Sequence, residues 1–170
     1  PIVATSISDL YEKTNADLLL VAVSEMSVYS VALNAFKYPW LSLIEKPAGY
    51  NFDNALLIGD LASKFKAKVF VSFNRRFFNS TSSVLGELNN DEGQRLIEVC
   101  DQEEPLLLDR PPEVHRNWMY ANSIHVIDYL NILGRGEITK VIPIIHWNPD
   151  NPRYVLTKIE YSSGDIGIYK

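Results

Sequence analysis

The chain has 170 residues and a mass of 19.3 kDa, room for one ordinary domain or for parts of two smaller ones. Hydrophobic residues at 46% and charged residues at 22% give a globular composition and exclude a disordered or fibrous chain. Sixteen Lys and Arg against 21 Asp and Glu leave a net charge of −5, without the cationic surplus or basic block that a nucleic-acid binder needs.

In chain order, Ser8 is a candidate cap for a short helix through Lys13, punctuated by Asn15. Residues 17–24 (DLLLVAVS) form a near-continuous apolar run, which suits a strand buried on both faces of a parallel sheet. Val28, Val31, Ala32, Ala35 and Phe36 then recur at helical spacing, with Pro39 just beyond. Leu41 to Ile44 is a second short strand. Asn51 or Asp53 can cap a further helix whose stripe is Leu57, Ile58, Leu61, Ala62 and Phe65. Lys68 to Phe73 (KVFVSF) is the third strand. Strand, helix, strand, helix, strand, with crossovers of this length, is half of a doubly wound parallel sheet. Ligands bind such sheets beyond the carboxyl ends of the strands, which here carry Ser24-Glu25, Glu45-Lys46-Pro47 and Asn74-Arg75-Arg76.

Beyond residue 75 the pattern changes. Phe77 to Leu88 reads as a helix, and Arg95 to Cys100 fits strand or helix equally. Pro105 to Pro112 reads as extended loop, and Asn117 to Leu133 as one long helix ended by Gly134. Ile138 to Trp147 and Tyr154 to Tyr161 read as strands joined by a turn at Asn148 to Pro152, and a third strand starts near Ile166. Short links between consecutive strands imply an open, mainly antiparallel sheet. The expected fold is therefore α/β, a partial Rossmann unit over 1–75 followed by an α+β domain over 76–170. The chain opens at Pro1 without an initiator Met and stops directly after a strand-like run, so both ends are expected to be cut. Cys100 is the one cysteine, which excludes an intrachain disulfide framework, and no apolar run approaches the roughly 20 residues of a membrane span. A cytoplasmic protein without membrane or nucleic-acid partners is expected.

Three places could carry chemistry. In Glu45-Lys46-Pro47, opposite charges follow an apolar strand, and Pro47 biases Lys46 toward an extended backbone, aiming it reproducibly. The alternative is a solvated turn with an incidental ion pair. On the helix expected over Asn117 to Leu133, Asn122, His125 and Asp128 fall three residues apart, and a neutral imidazole there could act as a general base. The alternative is a core histidine hydrogen-bonded to Asp128 or to a backbone carbonyl. Arg75 and Arg76 could hold an anionic or polyhydroxylated ligand or line a domain seam. His115 and His146 share no metal-ligand spacing and read as surface or loop residues. Trp40, Trp118 and Trp147 read as packing residues. No GxGxxG, P-loop or GxSxG motif occurs.

Taken in order, ADLLLVAVSEMSVYSVALNAFKYPWLSLIEKPAG, VFVSFNRRF and ANSIHVIDYL resemble segments of the glucose–fructose oxidoreductase/inositol dehydrogenase/MocA-type family of NAD(P)-dependent oxidoreductases. The resemblance implies a Rossmann domain that lacks its Gly-rich first unit, then a substrate domain whose open sheet makes a homo-oligomer. It implies hydride transfer between NAD or NADP and a secondary alcohol of a sugar, nucleotide-sugar or cyclitol. It places Lys46 beside the reacting hydroxyl and His125 as acid/base. Val23, Ser24, Tyr29, Glu45, Lys46 and Pro47 would line the cofactor side, while Arg75, Arg76, Asn122 and His125 would meet the substrate. Three departures stand out. Ala121 replaces the family Asp four residues before the His, Val23-Ser24 replaces Thr-Pro, and Tyr29 replaces a His. These departures leave a second expectation open, a non-catalytic relative that senses a nucleotide or sugar or binds a protein.

Overall fold

The computed structural model describes residues 2–102, 109–146, 148, 150 and 154–170. The chain divides into two compact units, Pro1–Ser72 and Phe73–Lys170.

In the first unit α1 (Ile7–Lys13) is capped by Ser6, not by Ser8: the Ser6 hydroxyl accepts from the Asp9 N–H at 3.0 Å. Asp9 and Lys13, one turn apart, pair at 2.9 Å. The apolar run at 17–24 contributes only β1 (Leu18–Val21). A 3-10 turn (Glu25–Ser27) leads into α2 (Val28–Ala35), followed by β2 (Leu41–Glu45), α3 (Phe52–Phe65) and β3 (Lys68–Ser72). Of the two candidate caps for α3, Asn51 acts, its Oδ1 accepting from the Asn54 N–H at 2.8 Å. The sheet is parallel throughout, in the order β1-β2-β3, with Leu20 beside Leu43 and Leu43 beside Phe70.

Both helices cover the same face of this sheet. Val28, Ala32, Ala35 and Phe36 from the α2 segment and Ile58 and Leu61 from α3 pack on Val21 and Ile44 in one core. The expectation of a strand buried on both faces is corrected accordingly. Leu20 remains 64% exposed and Phe70 57%, because two crossovers of the same hand put both helices on one side of the sheet. Leu57, expected in the buried stripe of α3, is likewise exposed.

In the second unit a 3-10 turn (Asn74–Phe77) precedes α4 (Asn79–Leu88), so the expected helix begins two residues later than its sequence pattern suggests. The undecided segment 95–100 is a strand, β4 (Leu96–Val99), with alternating burial. Of the Pro-rich loop, residues 105–108 lie outside the described residues. Pro112 opens α5 (Pro112–Arg116) instead of ending the loop, as suits a residue with no N–H to leave unsatisfied.

The long helix expected over 117–133 is broken into α6 (Trp118–Ala121) and α7 (Ile124–Leu133). The Asn122 and Ser123 N–H groups both donate to the Trp118 carbonyl, and a new ladder starts at the Ser123 carbonyl. Short polar side chains such as Asn and Ser favour such interruptions over a helix interior. Gly134 ends α7 in an extended conformation, not a left-handed one.

The strands β5 (Ile138–Ile145), β6 (Leu156–Tyr161) and β7 (Ile166–Tyr169) are antiparallel neighbours. β4 joins the other edge of β7 in parallel, giving a mixed sheet ordered β4-β7-β6-β5. The expected turn at 148–152 lies mostly outside the described residues, as does Trp147. Leu130 of α7 packs with Ile97, Val99, Ile159, Tyr161 and Tyr169. All eight residues of β5 are exposed.

Asp165, buried, ties this unit together. Its carboxylate accepts from the Arg95 N–H at 3.0 Å, the Arg135 N–H at 3.1 Å, and Arg135 Nε and Nη2 at 2.9 and 2.6 Å. The Arg135 guanidinium chiefly, with the backbone donors and against the effect of burial, holds the Asp165 carboxyl well below the usual carboxylate range. The Arg95 guanidinium in turn donates to the Leu133 carbonyl at 2.9 Å and to the Leu88 carbonyl, the C-terminal ends of α7 and α4.

Candidate functional site

The sequence candidates fall into two groups, one in each unit. In the first unit they stand where the parallel strands end. Val23 and Ser24 follow β1, both exposed, and the Ser24 and Ser27 hydroxyls lie 3.0 Å apart. Tyr29, in the first turn of α2, is half-buried and packs against the core cluster.

Glu45 is the last residue of β2 and is exposed; Lys46 is half-buried and Pro47 fully buried. The Lys46–Pro47 peptide is cis. The segment then turns through Gly49 at φ 89°, where a Cβ would stand 2.2 Å from Asn54 Oδ1. Only glycine tolerates both that backbone and that approach. The buried Pro47 and, two residues on, Gly49 packed on α3 fix the chain immediately after Lys46.

In the second unit the candidates cluster around the turn at 74–77 and α7. The turn's backbone is pinned at the Arg75 carbonyl, which accepts from the Thr81 hydroxyl at 2.8 Å; that hydroxyl lies 3.2 Å from the Tyr129 hydroxyl. Arg76 reaches α7. Its Nε donates to Asp128 Oδ2 at 2.6 Å and its Nη2 to Oδ1 at 2.5 Å, a bidentate pair with Asp128 only 6% exposed. Those bonds raise the guanidinium's pKa above its ordinary value, against a smaller opposing effect of burial. The Arg76 guanidinium carbon also lies 5.1 Å from the centroid of the Phe73 ring. That ring stands perpendicular (89°) to the imidazole of His125, with centroids 6.0 Å apart. His125 itself is 8% exposed.

Two sequence inferences change here. Asn122 and His125 do not share a continuous helix, since the break at 122–123 separates them; Asn122 is half-buried at the end of α6. His115, expected on the surface or in a loop, is half-buried on α5 and stacks on Trp118 at 6.1 Å. His146 is exposed, while Trp40 and Trp118 are buried as packing residues.

The sequence reading missed Phe73 and the pairing of Arg76 with Asp128. Phe73 reads as the last apolar residue of a strand, and 52 residues separate the two charges, so no local periodicity links them. Among the described residues no group of three or more His, Cys, Asp or Glu could hold a metal ion, and no helix is long and apolar enough to cross a membrane.

No protein-family model and no curated protein sequence matches the chain. Solved structures do. A myo-inositol dehydrogenase from Corynebacterium glutamicum superposes with a TM-score of 0.73 at 14% identity, over 96% of this chain and 52% of its own. The WlbA dehydrogenase from Bordetella pertussis, solved in complex with NADH and UDP-GlcNAcA, gives 0.73 at 15% identity, over 96% and 53%. A Thermotoga maritima protein assigned as a dehydrogenase gives 0.77 at 17%, over 97% and 53%. The chain thus spans about half the length of the structures it matches. Its structural neighbours are dehydrogenases, a myo-inositol dehydrogenase among them, and its fold is theirs over that half.

Proposed function

We propose that this chain is part of a dehydrogenase that moves hydride between NAD or NADP and a secondary alcohol of a sugar, nucleotide-sugar or cyclitol. Residues 1–75 would be the second half of its dinucleotide-binding domain and 76–170 its substrate domain. The observation that carries the reading is Glu45-Lys46-Pro47 at the carboxyl end of β2, the middle strand of a parallel sheet. That is where open α/β sheets take ligands. The dinucleotide and nucleotide-sugar named with WlbA lend support to the substrate class.

The side chains at the strand ends fit the nicotinamide–ribose end of such a cofactor. Ser24 offers a hydroxyl and Glu45 a carboxylate to sugar hydroxyls, and exposed Val23 offers an apolar surface to a ring. The first glycine of the chain is Gly49, so residues 1–48 supply no Gly-rich cradle for the pyrophosphate. The cofactor, when bound, supplies the hydride chemistry. His125, as a neutral imidazole, takes the hydroxyl proton, and the Lys46 ammonium stabilises the developing alkoxide. Asn122 and Arg75 contact substrate hydroxyls. Arg76 is engaged by Asp128.

The test is reduction of NAD+ and NADP+ by the full protein across a panel of aldoses, inositols and UDP-sugars. Turnover lowered by about 10²-fold or more in Lys46→Ala and in His125→Ala supports the reading. No reduction with any member of the panel, in a protein that binds the dinucleotide, would favour a non-catalytic sensing relative instead. The buried methyl of Ala121, four residues before His125, is the observation on that side: an alanine cannot share charge or a hydrogen bond with an imidazole.

The sheet of the second unit is the surface we assign to self-association. Its edge strand β5 exposes Ile138, Val141, Ile142, Ile144 and Ile145. Light scattering of the full protein at the mass of a monomer would remove that assignment.

A further inference from the structure

The geometry points to Arg76, Asp128 and Phe73 as a positioning clamp for the His125 imidazole, so that Arg76 orders the acid/base group and does not bind substrate. This rests on the reading of His125 given above. The contacts form a closed circuit within the second unit. His125 and Asp128 lie one turn apart on α7, both buried. Asp128 grips Arg76 through both carboxylate oxygens, at 2.5 and 2.6 Å. The gripped guanidinium lies over the Phe73 ring, and that ring meets the imidazole at 89°. Each member therefore limits the next, and the last contact falls on the imidazole.

The pair is a fixed fork. A bidentate guanidinium has one orientation relative to its carboxylate, whereas an ammonium in the same place is a point charge free to swing. The plane that Arg76 offers to Phe73 is thus set by α7 itself, the helix that carries His125. The turn bearing Arg76 is separately fixed where the Arg75 carbonyl accepts from Thr81. Asp128 takes the Nε–Nη2 edge of the guanidinium, so that edge is not open to a substrate.

The test is NMR of the full protein carrying 13C-labelled histidine, with the His115, His125 and His146 imidazole signals each assigned by its loss in His115→Gln, His125→Gln or His146→Gln. Arg76→Lys and Arg76→Met are expected to shift the His125 signal and leave those of His115 and His146 in place, although neither substitution touches the imidazole. Phe73→Leu removes the ring and is expected to shift the same signal alone. Asp128→Asn should move it in parallel with Arg76→Met. A His125 signal unchanged in Arg76→Lys and Arg76→Met, in proteins that melt within a few degrees of wild type, would overturn the clamp.

If Arg76→Met fails to fold, Arg76→Lys decides on the same criterion, since it keeps the charge and loses the fork. A polyol that turns over adds a second readout. Arg76→Lys should lower kcat by about tenfold to a hundredfold, the penalty of a group misplaced by an ångström, with KM unchanged. A rise in KM with kcat intact would assign Arg76 to the substrate and refute the clamp. Loss of the acid/base reading of His125 is distinguishable, because a His125→Ala variant that keeps its turnover would end that reading while the NMR shifts stood.

Discussion

Gly134→Ala adds one methyl group at the end of the helix that carries His125 and Asp128. The residue has φ −77° and ψ 149°, a backbone alanine adopts freely, so the substitution carries no conformational penalty of its own. The obstacle is Tyr161. A Cβ on residue 134 would lie 2.3 Å from Tyr161 Cε1 and 2.4 Å from Cζ, where ordinary contacts are 3.4–4 Å. The ring must retreat by about 1 Å or more, and little allows it to do so: it is buried among Ile97, Leu130, Ile159 and Tyr169, and its hydroxyl donates to the Leu130 carbonyl at 2.7 Å.

Overpacking of this kind costs about 1–3 kcal/mol. Loss of the hydroxyl bond adds about 1 kcal/mol, and the lower entropy of the unfolded alanine chain returns about 0.4–1 kcal/mol. The net expectation is a destabilisation of roughly 1–3 kcal/mol. Urea unfolding of Gly134→Ala, of Tyr161→Ala and of the double variant measures it. The double variant should be more stable than the sum of the two losses predicts, because the smaller side chain relieves the clash. Strict additivity, or a Gly134→Ala protein as stable as wild type, would refute the packing argument.

Three further outcomes are expected. Lys46→Ala should reduce kcat by about 10²–10³-fold, the scale of removing one donor to a developing oxyanion. Its melting temperature should stay near wild type, because only a half-buried side chain is shortened; full turnover in steady-state assays would remove Lys46 from the chemistry. Asp165→Asn should be less stable than wild type at neutral pH by thermal melts, with the gap narrowing in acid. The depressed carboxyl contributes fully above its unfolded pKa of about 3.9, and that contribution is lost as pH falls from there toward its folded value. A gap that does not change from neutral pH to pH values below that unfolded pKa would contradict it. Arg95→Met keeps the buried stem but strips the bonds to the Leu88 and Leu133 carbonyls. At about 1.5–3 kcal/mol per charged bond, offset where water reaches the freed carbonyls, roughly 2–4 kcal/mol should be lost. Hydrogen exchange should accelerate at the C-terminal ends of α4 and α7; unchanged protection there would count against the capping role.

Much of the first unit was legible in the chain, because its signals are local. The stripe Val28, Ala32, Ala35 and Phe36 and the cap at Asn51 act within a few residues, and two crossovers too long for hairpins leave only parallel pairing. Lys46 was legible as well, as a charge at the end of a short apolar strand. The break at Asn122–Ser123 was not, since the apolar spacing runs on across it while two N–H groups share the Trp118 carbonyl. Nor could the run at 17–24 say which of its faces would be covered, because burial on a second face depends on what lies there and not on the strand.

What the sequence by itself determined, then, is the helices and strands of the first unit, the parallel pairing of its sheet and the identities of Lys46 and His125 as candidates. Tertiary structure alone decided that β4 pairs with β7, that Asp165 gathers Arg95 and Arg135, and that Arg76 serves Asp128. Periodicity and capping report on residues within about a turn of one another. Those three contacts join residues 30–70 positions apart, and only the folded chain brings them within the reach of a hydrogen bond.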